Sequence, residues 1–185
     1  MDVTKVLEAD HREVEALFAK IERAEGAERQ PMIDELVTSL KAHMELEEQV
    51  VYPMMEPVTG HDDVVEGTTE HQLARKGLED VSRLADDLGF GAALEAVKAG
   101  ISHHVEEEET EVFPKLRKKG ASVLEEMATP FMKKRLELGM PTGAAALAAA
   151  SSKDELLAEA KSAGVDGAGS MTKAQLADAL AEVMA

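Results

Sequence analysis

His104 and Glu108 stand where a buried helix face ordinarily carries aliphatic side chains. In the stretch LEAVKAGISHHVEEEETEVFP, residues 94–114, the positions Leu94, Val97, Ile101, His104, Glu108 and Val112 follow the spacing of one helical stripe. Burying even a neutral polar group without a partner costs roughly 2–7 kcal/mol. Something must therefore satisfy both side chains, and a metal ion, which takes imidazole nitrogen and carboxylate oxygen as ligands, is the leading candidate.

An internal repeat strengthens that reading. Shifted back by 61 residues, Leu94, Val97, Ile101, His104, Glu108, Val112, Phe113 and Pro114 fall on Ile33, Leu36, Leu40, His43, Glu47, Val51, Tyr52 and Pro53. Shifted back by 60, His71, Ala74, Leu78 and Val81 fall on His11, Val14, Phe18 and Ile21. The chain is a tandem of one unit: a helix with a single inward histidine, then a helix with an inward His-x-x-x-Glu.

Histidine and glutamate at i and i+4 lie about one turn apart on one face, so both can reach one ion while facing helices supply the remaining donors. His11, His43, Glu47, His71, His104 and Glu108 make six donors, more than one tetrahedral ion uses and enough for two ions that share carboxylates. Mixed imidazole and carboxylate ligation suits iron or manganese better than structural zinc, so a dinuclear iron centre is expected. One His-x-x-x-Glu taken alone is ordinarily a solvated ion pair. Four histidines and two glutamates inward in repeat register are another matter.

Neighbouring residues offer weaker candidates. His103 and Glu107 form a second His-x-x-x-Glu one residue out of phase, on a face with Ala96, Gly100 and Glu111 that reads as wet surface. The run Glu106 to Glu109 is expected to be a solvated face with only Glu108 turned inward. Tyr52 is a candidate additional ligand or supporting group, although its offset of nine from His43 turns it away on a regular helix. Its repeat partner, Phe113, favours a packed aromatic near a helix end. His61 and Glu66 lie too far before His71 to share its face and are expected in solvent. Met44, Met54 and Met55 read as packing rather than ligands. Glu-x-x-His, which ferritin-like di-iron bundles need on two helices, occurs once, at Glu8 and His11, with Thr68 at the equivalent place before His71.

The elements that must carry these side chains are all helical. A first helix is expected from about Asp2 through Ile21, and a second from Pro31 to about Tyr52, since Pro53 disfavours helix before it. A loop through Pro57, Gly60 and His61 leads to a third helix from about Asp62 to Leu88; Gly89-Phe90-Gly91 turns into a fourth, ending near Phe113 or in Lys115–Lys119. A fifth opens with Ser122 and Glu125 as a capping box and contains Pro130, which can kink it. The fold class expected is all-α: an antiparallel up-and-down four-helix bundle over residues 1–138 with the fifth helix as a lid. Residues 139–152 read as an Ala/Gly-rich linker and 153–185 as a small helical motif.

Composition bounds the rest. The chain has 185 residues, 44% of them hydrophobic, enough for one buried core plus an appendage. The absence of cysteine excludes disulfides, thiolate zinc sites and cysteine-ligated clusters. A net charge of −17 opposes a phosphate-binding surface. No apolar run spans a bilayer and no basic-then-apolar signal precedes Val3, so a cytoplasmic location is expected.

The order His, His-x-x-x-Glu, His, His-x-x-x-Glu over nearly all of residues 1–138 resembles the hemerythrin-like proteins with HHE cation-binding domains. That resemblance implies a four-helix bundle around two non-heme iron ions, oxo- or hydroxo-bridged, with ligands at His11, His43, Glu47, His71, His104 and Glu108. Oxygen-carrying hemerythrins place a second histidine on the third helix, four residues after the first; here that position is Arg75. Another donor, solvent or an open position must stand in, which argues against simple oxygen carriage.

Two functions follow as expectations. One is binding of, or reaction with, a small oxidant such as O2, NO or H2O2, with peroxide- or NO-linked oxidoreductase activity among the outcomes the resemblance permits. The other is a non-catalytic oxygen or iron sensor or carrier that signals through the tail to a protein partner. The tail, through KDELLAEAKSAGV and MTKAQLADAL, resembles the small helical motif at the amino end of transcription termination factor Rho and in SAP-like domains. Its net charge of −3 disfavours nucleic acid. Iron storage is weaker, since nothing in the sequence suggests a cage-forming surface.

Overall fold

The computed structural model describes residues 2–85, 87–140, 148 and 151–184, and the regular elements among them are helical. Helix α1, Val3–Ile21, starts where the Asp2 carboxylate accepts the Thr4 N–H, and it buries Val6, Leu7, His11, Val14, Phe18 and Ile21 along one stripe. A 3-10 turn, Gly26–Glu28, leads into α2, Arg29–Leu46. Pro31 thus falls within the first turn of α2, where its missing N–H leaves no intrahelical bond unmade.

The second and fourth long helices share an irregularity that the sequence reading missed. Helix α2 runs through a π-helical turn, Glu47–Val51, into α3, Tyr52–Thr59. Helix α5, Phe90–Glu107, likewise runs through a π-helical turn, Glu108–Val112, into α6, Phe113–Lys119. The Tyr52 N–H bonds the Glu47 carbonyl and the Phe113 N–H bonds the Glu108 carbonyl, each five residues back. Pro53 and Pro114 are the next residues in each case. A proline ring collides with the carbonyl four residues before it in a regular α-helix, and the wider π turn displaces that carbonyl, so the second rod does not end at Pro53 as expected, while the fourth ends at Lys119, within the expected Lys115–Lys119.

The connections are correspondingly short. Gly60, at φ 121°, makes the turn alone, with α4, His61–Arg83, beginning at the next residue in place of the expected loop. Helix α4 stops five residues before the expected Leu88 and α5 begins at Phe90. Gly120 separates α6 from α7, Ala121–Glu137, which stays helical through Pro130. Ser122 lies inside α7 and makes no cap; the capping box in this chain is at Ser152 and Glu155, opening α8, Lys153–Ser162. A 3-10 turn, Ala168–Ser170, precedes α9, Lys173–Met184, and Leu156, Ala160, Ala168, Leu176, Ala177 and Leu180 close a small cluster between α8 and α9. Residues 141–147, 149 and 150 of the expected linker lie outside the described residues.

The bundle core is split in two. Val14, Phe18, Leu36, Leu40, Leu78, Leu94 and Ile101 belong to one apolar cluster. Val3, Leu7, Val51, Met55, Phe113, Leu116 and, from α7, Met127 and Phe131 belong to a second. All six expected donors interrupt the chain between these clusters, so they form a polar layer enclosed by hydrocarbon above and below. Helix α9 rests against α7, and Lys5 Nζ reaches Glu155 of α8 at 2.8 Å. No helix among the described residues is long and apolar enough to cross a membrane.

Candidate metal centre

The six donors converge. His11, His43, Glu47, His71, His104 and Glu108 are at most 5% exposed, so their polar atoms meet one another rather than water. Helices α1 and α2 bring His11 Nε2 and His43 Nε2 to 3.2 Å; α4 and α5 bring His71 Nε2 and His104 Nε2 to 3.1 Å. The two imidazole pairs are near copies, edge to face at 65° and 66°. The carboxylates lie between them. Glu47 sets Oε1 3.2 Å from His43 Nε2 and Oε2 3.3 Å from His71 Nε2. Glu108 sets Oε2 3.4 Å from His11 Nε2 and Oε1 3.6 Å from His104 Nε2. Each acid therefore divides its oxygens between the two histidine pairs.

A ring of outer acids holds the imidazoles by their far nitrogens. His11 Nδ1 meets Glu109 at 2.8 Å, His71 Nδ1 meets Glu48 at 3.1 Å and His104 Nδ1 meets Glu70 at 2.7 Å. His43 Nδ1 faces Asp10 at a longer 3.6 Å. Three of these acids face arginines in turn: Glu109 with Arg12, Glu48 with Arg75, and Asp10 with Arg135, a fully buried residue of α7. Carboxylates in this place fix which nitrogen points inward and raise its basicity. Sequence reasoning missed all four, and the expectation that Glu109 belongs to a solvated face fails because it reaches across to α1. The repeat carried the signal: Asp10 shifted by 60 is Glu70, and Glu48 shifted by 61 is Glu109. Each stands next to an inner donor in the sequence: Asp10 by His11, Glu48 by Glu47, Glu70 by His71 and Glu109 by Glu108.

Tyr52 also departs from its expected direction. Its hydroxyl lies 3.2 Å from His71 Nε2 and 3.4 Å from Glu108 Oε1. The π turn between His43 and Tyr52 inserts an extra residue into the helical count, which cancels the offset that would have turned the ring outward. Arg75, where a second histidine was absent, turns to Glu48 with both guanidinium nitrogens, at 2.8 and 3.0 Å. His103 is exposed beside Glu107 and Glu70, His61 pairs with Glu56 in solvent, Glu66 is exposed, and Glu8 is drawn to Arg117.

Charge in this layer is unbalanced by ordinary means. Among the described residues, both oxygens of Glu47, Oε2 of Glu108 and Nδ1 of His43 are buried without a hydrogen-bond partner. The imidazole nitrogens near Glu47 are at contact distance but outside hydrogen-bonding angles. Burial opposes ionisation of Glu47, yet His43 and His71 outweigh it and hold the carboxyl well below its usual range. Burial likewise opposes a charge on His43, which Glu47 and Asp10 push well above the ordinary histidine range. For His104, Glu108 and Glu70 overcome burial and raise the pKa to about 9. Tyr52 is driven the other way: burial and the charges of Glu108 and Glu47 keep its phenol protonated well above the tyrosine range. His11, His43, Glu47 and Glu108 offer atoms within 4.8 Å of one another, as do Glu47, His71 and His104. A cation fits both groups, since it would satisfy the orphaned oxygens and the converging nitrogens at once.

A helical bundle with a buried His/carboxylate interior able to hold cations is the class that this fold and layer define. The family model described as hemerythrin HHE cation binding domain matches residues 2–116, and the chain belongs to that family. Among curated proteins, a DNA nickase of Nostoc sp. (strain PCC 7120 / SAG 25.82 / UTEX 2576) is 26% identical over 152 residues, covering 78% of this chain and 43% of that protein. The chain thus spans less than half the length of this relative. No solved structure matches it.

Two measurements test the layer. Glu108 and Glu70 raise His104 to about 9, and Glu47 and Asp10 push His43 in the same direction, so a divalent cation that takes these nitrogens competes with protons. Anaerobic titration with ferrous ion at pH 7 in weak buffer should release them, with the His104 share vanishing above about 9. The sign for metal-free stability is set the same way: the His104 contribution is whole below about 6.5 and is lost as pH rises through about 9, which urea midpoints across that window will show. Arg135→Met, which strips a buried partner from Asp10, should lower the unfolding free energy by about 3–5 kcal/mol in urea, and adding Asp10→Asn should recover much of that loss.

Proposed function

We propose that the layer holds two iron ions and binds or reacts with a small oxidant, O2, NO or H2O2. The observation that supports this reading most is the division of Glu47 and Glu108 oxygens between the two imidazole pairs, which leaves one oxygen of each acid for each pair. His11 and His43 would hold one ion and His71 and His104 the other, each with one oxygen from Glu47 and one from Glu108. Tyr52 adds a phenol oxygen on the His71 and His104 side only. Such an iron pair supplies one-electron redox steps and a coordination position for a diatomic molecule or peroxide.

The chain's own residues limit what can arrive. A cavity of about 50 Å³ adjoins this side, lined by Tyr52, Gly67, His104 and Glu108 and also by Asp63, Glu66, Glu70, Glu107, Glu111 and one cation, Lys115. Its size admits a molecule of a few heavy atoms. Carboxylates outnumber the single lysine, which is paired with Asp63, so this lining disfavours anions relative to neutral molecules. Action on DNA, which the relative's name prints, would need a track of cations, and a net charge of −17 works against one.

Loading with iron should give two ions per chain by metal analysis. His104→Ala should lose one of them and lower peroxide turnover in stopped flow by at least about 10-fold; equal turnover would reject the reading.

A second reading, a sensor that reports through the tail, draws on one line of contact. Asp10, which faces His43, is held by Arg135 of α7, and α9 lies on α7. A change in charge at His43 therefore has a path of ion pairs toward the tail. Hydrogen exchange in α8 and α9 should differ between the iron-free and iron-loaded chain if the tail reports the centre, and identical protection would remove this role.

A further inference from the structure

The two halves of the polar layer are related by the internal repeat, so a place where they differ marks a division of labour. Tyr52 and Phe113 are repeat partners and hold equivalent places: Tyr52 stacks on His71 at 5.4 Å and 19°, and Phe113 stacks on His11 at 6.1 Å and 9°. Only Tyr52 carries an oxygen. The residue opposing each aromatic differs in step. Gly67 on α4 lies against Tyr52, and its repeat partner, 60 residues earlier, is Leu7, fully buried in the same apolar cluster as Phe113.

Gly67 is there for space. It sits in the middle of α4, where glycine weakens a helix relative to alanine. A Cβ at this position would stand 2.6 Å from Tyr52 Oη, 3.0 Å from Cζ and 3.3 Å from Cε2. The phenol is enclosed by His71 and Glu108 on the other side, so the ring could not yield without withdrawing its hydroxyl from the layer. The small cavity opens at this same place, with Gly67 and Tyr52 in its wall.

We propose that Gly67 is a positioning residue: by lacking a side chain it seats the Tyr52 hydroxyl as a donor to the His71 and His104 half alone. The opposite half has Phe113 stacked on His11 and gains no such oxygen. This rests on the reading of the layer as a two-iron centre with Tyr52 at one ion.

The test uses the full chain loaded with ferric ion, as wild type, Tyr52→Phe, Gly67→Ala and the double variant, with metal content, visible absorption and thermal unfolding of the metal-free forms as readouts. Expected are a phenolate-to-ferric charge-transfer band in the wild type, its loss in Tyr52→Phe, and its loss or displacement in Gly67→Ala at unchanged iron content. A band unaltered in Gly67→Ala overturns the role of Gly67 and leaves Tyr52 as a donor. No band in the wild type, with two irons bound, overturns the tyrosine donor and this inference together but not the two-iron centre; failure to hold two irons overturns that centre as well. The metal-free proteins guard against a variant that merely folds poorly. Gly67→Ala should lower Tm when residue 52 is Tyr, and the loss should shrink by about 2–4 °C when it is Phe. Equal losses, or equal failure to fold, in both backgrounds would show that the alanine does not act through the hydroxyl.

Discussion

A carboxylate shut away from the surface, with both oxygens outside hydrogen-bonding geometry, is the constraint around which this molecule is arranged. Glu47 is fully buried, both of its oxygens lack a hydrogen-bond donor, and its charge persists because imidazoles crowd it from two sides. Isolated charges in a protein interior cost many kcal/mol and are retained only where something of opposite sign answers them. The four histidines, the shared acid Glu108 and the outer ring of Asp10, Glu48, Glu70 and Glu109 are successive layers of that answer. Each layer shifts charge outward until arginines at the bundle surface, or Arg135 under α7, complete it.

The split core reflects the same constraint. Hydrocarbon at both ends excludes water from the layer, which strengthens every electrostatic contact inside it and raises the penalty for any group left unmatched. Helix α7 contributes to both tasks. Met127 and Phe131 close the apolar end, and Arg135 faces Asp10, so the fifth helix is built into the layer's support as well as covering it. In a bare four-helix bundle Asp10 would need another cation.

Much of this was legible in the sequence because it is periodic. The stripe through Leu94, Val97, Ile101, His104 and Glu108, and its copy 61 residues earlier, define helices, inward faces and donors together. The hidden features break the period. A π turn leaves little mark that reads as one, and Pro53 and Pro114, which look like helix ends, sit one residue past such turns with the helix continuing through them. On a regular helix Tyr52 would face away from His43, and the π turn alone reverses that. The outer acids were hidden differently: Glu48 and Glu109 sit in acidic runs that look like solvent-facing surface, and only the repeat register separates them from their neighbours. Gly67 gives no sign until the ring it faces is in place.

The paired π turns have a geometric consequence. Each divides a rod into two parts, one ending in the His-x-x-x-Glu and one beginning with an aromatic residue and proline. The parts are joined through a loosened winding, so the distal part can be rotated about the rod axis by adding or removing a residue while the proximal part stays seated. Both copies keep the joint, so Tyr52 and Phe113 reach matching places over His71 and His11 and differ by a single oxygen atom.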